Sequence, residues 1–421
     1  MAKMSMTYGT AKTLTANTFE VTTAGITSKQ VFNGWNTKAD GTGTSYADKA
    51  SVNNLSSTNG ATVTLYAQWI NANYSVSSPV KYTLTLAQAV SAANASATIT
   101  VLKTHTDSSD VSINKTLTLA LNGKTLTRTK FMFLTKGIFT VSGSGVLTTP
   151  STGEYGIIQG TGGTFGTSNS PTIISTANMI IGNDMDLDLQ GGTLITTMRS
   201  TITIYNWKLK ANIKDTQILC APRNKNALLA YNKNGKDLTI ENSLVANGSG
   251  EPVVDADKNP TATTIHFAST GTLYIKGNSR IASGPNNEST ICTPDATLHG
   301  VKYSGKGSKI NISGSTSIFA YERCLNVNCS KITINTTGYL CAARDYAVYN
   351  QDQTAILDIT RGIFISRDSS HYTIYNNGTK SGLSSEASPG KKRPYTYYKW
   401  NGSTIESATY DKEHTYLYRK Q

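Results

Sequence analysis

From about residue 97 to 378 one short phrase keeps returning: alternating apolar residues, a Gly or Asn turn, then a further apolar step. It reads LTLALNGKTL from Leu117, FTVSGSGVL from Phe139, LDLQGGTL from Leu187, LTIENSLV from Leu238 and LYIKGNSRI from Leu273. INISGSTSIF from Ile310, ITINTTGYL from Ile332 and LDITRGIFI from Leu357 follow, their starts 22 and 25 residues apart. Strict alternation sends successive side chains to opposite faces of a strand. A period in the twenties marks a solenoid. Leucine-rich repeats need an L-x-x-L-x-L-x-x-N phrase, which is absent, and propeller blades need about 40 residues each. With no helix between the strands, a mainly β fold, a right-handed parallel β-helix, is expected. At roughly 23 residues per coil it has about a dozen coils and is on the order of 55 Å long. Stacked coils favour ladders of like side chains, and Asn232, Asn328, Asn350 and Asn376 are the expected ladder.

Composition agrees with this reading. Of 421 residues, 38% are hydrophobic and only 15% charged, so the polarity comes from Thr, Ser, Asn and Gly, which suit strands and tight corners. The formal net charge of +13 suits anionic partners. Between Arg199 and Lys236 eight Lys or Arg face one Asp, a pattern expected of a solvated turn region. No recognition motif accompanies the basic runs, so no specific nucleic-acid partner is expected. Cys220, Cys292, Cys324, Cys329 and Cys341 form no CxxC pair and have no His cluster beside them. They read as buried thiols, with no metal or other cofactor expected. No apolar run is long enough to span a bilayer, and the N-terminus, MAKMSMTYGTAK, has no apolar signal-peptide core.

Residues 71–80 are polar, end the run Ser77-Ser78-Pro79 and read as a linker. In TLAQAVSAAN, Thr85 and Gln88 have capping-box spacing, and Leu86, Ala89, Val90 and Ala93 share a helical face. This helix, followed by the strand Ala97–Leu102, is expected to cap the open end of the solenoid. The β-helix with its cap then covers 81–378. Residues 379–421, with a hairpin expected around Trp400-Asn401-Gly402, read as a C-terminal β cap or the start of a further module.

The first seventy residues differ. Val31 and Phe32 lead to a turn at Asn33-Gly34, Trp35 follows, Asp40-Gly41 and Gly43 turn again, and Thr62–Trp69 alternates as a strand. In so small a unit Trp35 and Trp69 are the expected core anchors. The pattern F-x-G-W-N-T-x-x-D-G-x-G-x-x-Y…LYAQW, Phe32 to Trp69, closely resembles the Listeria–Bacteroides repeat, also called the internalin B-type repeat. That resemblance implies a small, ubiquitin-like, β-rich module over 1–70, found in secreted or wall-attached proteins as a non-catalytic spacer or interaction unit. Such repeats usually open with a strand that is missing ahead of Ser5–Thr10, so residue 1 is expected to lie inside a repeat. This would also account for the absent signal peptide. The solenoid resembles the pectin-lyase-like β-helices of bacterial surface proteins, on Ala347-Val348-Tyr349-Asn350 and Thr373-Ile374-Tyr375-Asn376.

Enzymes of that architecture act on polysaccharides with paired carboxylates, or with a basic residue beside calcium-binding aspartates. Asp184, Asp186 and Asp188 alternate along one segment, and Asp255 and Asp257 sit in another. The first set reads as solvent-facing positions opposite Met185, Leu187 and Leu189, and the second as part of a turn-like segment, Val253 to Pro260; no catalytic signature of the family accompanies either. His105, His266, His299, His371 and His414 are dispersed. No catalytic residue is assigned. The stronger binding candidate is an arginine ladder: Phe319 and Arg323, Leu340 and Arg344, and Ile363 and Arg367 repeat a four-residue interval, as do Leu219 and Arg223. If Arg323, Arg344 and Arg367 stack, Glu322, Asp345 and Asp368 either neutralise them or leave an anionic-glycan groove helped by Tyr346, Tyr349 and Tyr375. The expected role is an extracellular or cell-surface stalk that binds an acidic polysaccharide or cell-wall polymer. A polysaccharide lyase or hydrolase and a phage-tail or virion-associated β-helix are the alternatives.

Overall fold

The computed structural model describes residues 3–18, 29–153, 155–220, 226–247, 264–283, 289–293, 295–298, 301–304, 307–320, 323–342, 346–350, 352–366, 374–376, 379–381, 397–400, 405–408 and 415–418. In the N-terminal part, β1 (Lys12–Thr13) pairs antiparallel with β4 (Ser51–Val52), and β2 (Gln30–Asn36) lies between β3 (Ser45–Tyr46) and β5 (Tyr66–Asn71). Leu14, Trp35 and Val52 are its buried centre. Phe32 meets Trp35 and Trp69 edge-on at 5.0 and 5.7 Å, so Trp69 is a half-buried flank rather than a second anchor.

Two local expectations are corrected here. Asn33-Gly34 is not a turn. It is a bulge inside β2: Phe32 registers with Trp69 and Trp35 with Ala67. Gly34 has φ +109°, and a Cβ there would lie 2.6 Å from the Tyr46 carbonyl oxygen. The strand expected from Thr62 begins only at Tyr66. Sequence reading also missed Asn36. Its buried amide donates to Gly41 O, Gly43 O and Ser45 Oγ and accepts from the Lys38 and Gly43 N–H groups, holding the 37–44 loop together.

The stretch read as a linker is a strand. β6 (Tyr74–Ser77) pairs antiparallel with β7 (Val80–Thr83) and with β8 (Ala97–Val101), the first strand of the solenoid. Its Tyr-Ser-Val-Ser alternation, polar only on the outer side, buries Tyr74 and Val76. Helix α1 (Leu86–Ala92) follows β7, with both hydrogen bonds of the Thr85/Gln88 capping box formed and Leu86, Ala89 and Val90 buried.

After β8 the chain repeats one circuit: β9 (His105–Asp107), β10 (Val111–Ile113), β11 (Leu117–Ala120), β12 (Thr125–Arg128). β8 pairs parallel with β11, and β9 with β12. Later coils stack on these three walls to give a parallel β-solenoid of about nine turns. Among the described residues the strands of the third wall, begun by β10, pair in sequential order. Inward residues form columns. On the first wall Ile99, Leu119, Val141, Thr167, Leu189, Ile213, Ile240, Ile275, Ile312, Ile334 and Ile359 are in register. Thr167 is the one polar member; its hydroxyl donates to Gly191 O and accepts from Gln190 N. The second wall carries an apolar column from Leu126 to Phe364, and the third one from Val111 to Ile374.

There are fewer turns than the dozen expected because coil length is not constant. Leu228 registers with Ile265, and Ile291 with Leu325 through an added hairpin, Asp295–Leu298 with Val301–Ser304. The asparagine ladder is half formed: Asn350 registers with Asn376, but Asn232 registers with Ser269 and Asn328 lies one residue beyond the rung of Asn350.

Corners stack as tightly as strands. Gly137 has φ +81°, and a Cβ there would lie 2.4 Å from the Lys115 carbonyl carbon one coil below. Gly137→Ala should therefore cost about 1–3 kcal/mol of stability through overpacking alone; urea unfolding followed by circular dichroism reads it. At the far end, Ile356–Ser366 is covered by Thr379–Ser381 in parallel and by Thr415–Tyr418 antiparallel, and Tyr397–Trp400 forms a hairpin with Ile405–Ala408. Among the described residues no helix is long and apolar enough to cross a membrane.

Candidate functional site: an aromatic platform on the third wall

The outward column of the third wall changes character along the rod. It runs Ser112, Phe133, Gln159, Ile181, Thr203, Leu229, His266, and later Asn326, Tyr349 and Tyr375. Adjacent parallel strands lie about 4.8 Å apart, so like residues in register must stack. Tyr349 and Tyr375 do so, at 4.9 Å and 24°. Tyr346, just ahead of the Val348–Asn350 strand, lies 5.0 Å from Tyr349 and 5.8 Å from Tyr375. The Arg323 guanidinium sits 4.2 Å from the Tyr349 ring centre and 5.9 Å from that of Tyr346, within cation–π range. Tyr375 is exposed; Tyr346, Tyr349 and Arg323 are half-buried. Three tyrosine rings and one guanidinium thus share a patch of outer wall.

This arrangement corrects the basis of the arginine ladder. The apolar residues that set its four-residue interval are not equivalent: Phe319 registers with Cys341, not Leu340, and Ile363 registers with Tyr339. An equal spacing in sequence does not give an equal position when corners differ in length. Arg344 and Arg367 lie outside the described residues, as do Arg223, Glu322, Asp345 and Asp368. Of the five binding candidates the structure brings together Arg323, Tyr349 and Tyr375. Tyr346 is the helper that joins them.

The carboxylates are engaged elsewhere. Asp184 is in a turn with φ +57°, outside the strand that begins at Asp186. Asp186 is buried and accepts the Lys208 and Leu209 N–H groups at 2.8 and 2.9 Å. Asp188 pairs with Lys210 and accepts from Gln190. Asp186 and Asp188 thus both hold the 208–210 corner, and Asp184 lies apart from them. Asp255 and Asp257 lie outside the described residues, as do His299, His371 and His414. Among the described residues no cluster of His, Cys, Asp or Glu has metal-binding geometry. Cys220, Cys324, Cys329 and Cys341 are buried, and burial pushes the Cys324 thiol well above its usual range.

A second aromatic group was not foreseen. Tyr205 and Tyr231 are in register and stack at 5.5 Å and 10°. Tyr231 also meets His266, its hydroxyl 3.2 Å from Nε2. Both Tyr231 and His266 are buried, and burial lowers the His266 pKa to about 4. In sequence the only signal is an outward Tyr at equivalent coil positions, which becomes readable once the register is known. Tyr231 and His266 are buried, whereas Tyr375 of the other patch is exposed.

No family model matches this chain, and neither a curated protein nor a solved structure is found to be similar to it.

Proposed function

We propose that the solenoid is a display scaffold whose outer wall binds an acidic glycan at Tyr346, Tyr349, Tyr375 and Arg323. The stacking of Tyr349 on Tyr375 beneath the Arg323 guanidinium carries this reading. Stacked tyrosines offer a row of ring edges and hydroxyls, an amphipathic surface suited to a sugar ring. Arginine adds a planar set of N–H donors matched to a carboxylate. Arg323, Tyr349 and Tyr375 sit on strands, which hold them more rigidly than loops would. The resemblance of Phe32–Trp69 to the Listeria–Bacteroides repeat, and of the solenoid to pectin-lyase-like surface proteins, supports placing this function outside the cell. The resemblance also favours a spacer role for the N-terminal module. Asp186 and Asp188 are engaged in structural contacts, which does not favour a hydrolytic role for that pair.

Titration calorimetry with oligogalacturonate as probe tests the proposal. Tyr349→Ala and Tyr375→Ala are expected to weaken binding about tenfold each, in line with the loss of an aromatic stacking partner. Arg323→Gln should weaken the acidic probe but leave its reduced, neutral counterpart unchanged. Equal affinity in all three variants would refute the platform as the binding site.

A further inference from the structure

The basic run between Arg199 and Lys236 takes a definite shape at the corner joining the third wall to the first. Residues 206–210 form this corner in one coil and residues 233–237 in the next. The first corner is held from beneath by buried groups. Trp207 is fully buried, and its indole N–H donates to Asp237 O at 2.9 Å. The buried Asn232 amide donates to Trp207 O at 2.8 Å, and Asp186 Oδ1 accepts the N–H groups of Lys208 and Leu209. Asn206 Oδ1 accepts the Lys233 N–H and ties the two corners together.

This frame presents an apolar tip ringed by lysines. Leu209 is 84% exposed at the tip, flanked by exposed Lys208 and Lys210, with exposed Lys233 and Lys236 on the adjoining corner. Lys210 pairs with Asp188, but among the described residues no carboxylate pairs with Lys208, Lys233 or Lys236. A leucine held out in water by the polar contacts of three buried side chains gains nothing from folding, because the hydrophobic effect acts only on area removed from water. Its placement has a physical use if an apolar phase lies just beyond a layer of negative charge.

We propose that this corner docks the solenoid on an anionic lipid bilayer: Lys208, Lys233 and Lys236 meet the phosphate headgroups while Leu209 enters the acyl boundary. Lysines near an anionic leaflet each strengthen binding about fivefold. An anionic polymer in solution would engage the same lysines without using Leu209. The proposal is independent of the tyrosine platform, which lies on other coils.

The experiment is cosedimentation of the full chain with vesicles of equal parts phosphatidylglycerol and phosphatidylcholine, against phosphatidylcholine alone. The intact protein is expected to sediment with the mixed vesicles and to stay in solution with the neutral ones. The double variant Lys208→Glu/Lys233→Glu should lose binding, and Leu209→Ser should weaken it about tenfold. All three positions are exposed, and an unchanged circular dichroism spectrum confirms that each variant folds. Absence of binding to mixed vesicles would overturn the proposal. So would a Leu209→Ser variant that binds like the intact protein while the lysine variant does not, since that outcome assigns the ridge to a charged polymer.

Discussion

Replacing Asp107 with alanine is expected to lower stability by about 3–5 kcal/mol, the range for breaking a buried ion pair. Asp107 is buried in the first coil and accepts from four other groups besides Arg128: Tyr74 Oη, Leu86 N, Ser109 N and Ser109 Oγ. Arg128, fully buried in the second coil, pairs with it at 2.6 Å and also donates to the Asp107 and Ser109 carbonyls. One carboxylate therefore joins the capping strand, the start of the capping helix and two coils. Alanine would leave the Arg128 charge unpaired in the interior and strip a hydrogen bond from the first turn of α1. Hydrogen exchange should speed up first in residues 74–101, ahead of the coils beyond. The double variant Asp107→Ala/Arg128→Met should be less unstable than Asp107→Ala alone, because it removes the stranded charge. A double variant as unstable as the sum of the single ones would show that the pair is not coupled.

The second large effect is a dependence on pH. Burial pushes the His266 imidazole to about 4, while an unfolded histidine titrates near 6.5. Between those values the unfolded chain holds a proton that the folded chain does not. Stability therefore falls as pH drops through this window, by up to about 3 kcal/mol, and rises again on return to neutral pH. Asp107 acts lower. Burial alone would raise its carboxyl, but hydrogen bonds from Ser109, Leu86 and Tyr74 outweigh burial and hold it below the usual range. Its contribution is present above about pH 4 and is lost as pH falls through its depressed folded value. Urea midpoints measured from pH 7 to 4 should decline for the intact protein and stay nearly level for His266→Gln. That variant retains a polar partner for Tyr231 and cannot titrate in this range. A decline unchanged in His266→Gln would place the sensitivity elsewhere.

The architecture was legible where it rests on local pattern. Alternation in LTLALNGKTL and its successors marked the strands and which side faces in. The intervals among Ile310, Ile332 and Leu357 are those of the observed register. The Thr85/Gln88 box lies within one helical turn and was readable for that reason. Features set by contacts between coils were not readable. Arg128 meets Asp107 only because the first coils have the lengths they have, and nothing near either residue announces the partner. The same holds for the candidate site. Tyr349 and Tyr375 were singled out from matching phrases, and the register stacks them. The arginine interval, counted in residues rather than in rungs, did not match the register. The polar 71–80 stretch misled for a related reason: an edge strand with one solvent face has the composition of a linker.

A glycan array on the intact chain, alongside the double variant Tyr349→Ala/Tyr375→Ala, tests the outward tyrosine platform most directly. The intact protein is predicted to retain uronate-containing oligosaccharides in preference to their neutral counterparts, and the double variant to lose that retention while keeping its circular dichroism spectrum. Retention of the same acidic glycans by the double variant, or of none by the intact chain, would contradict it.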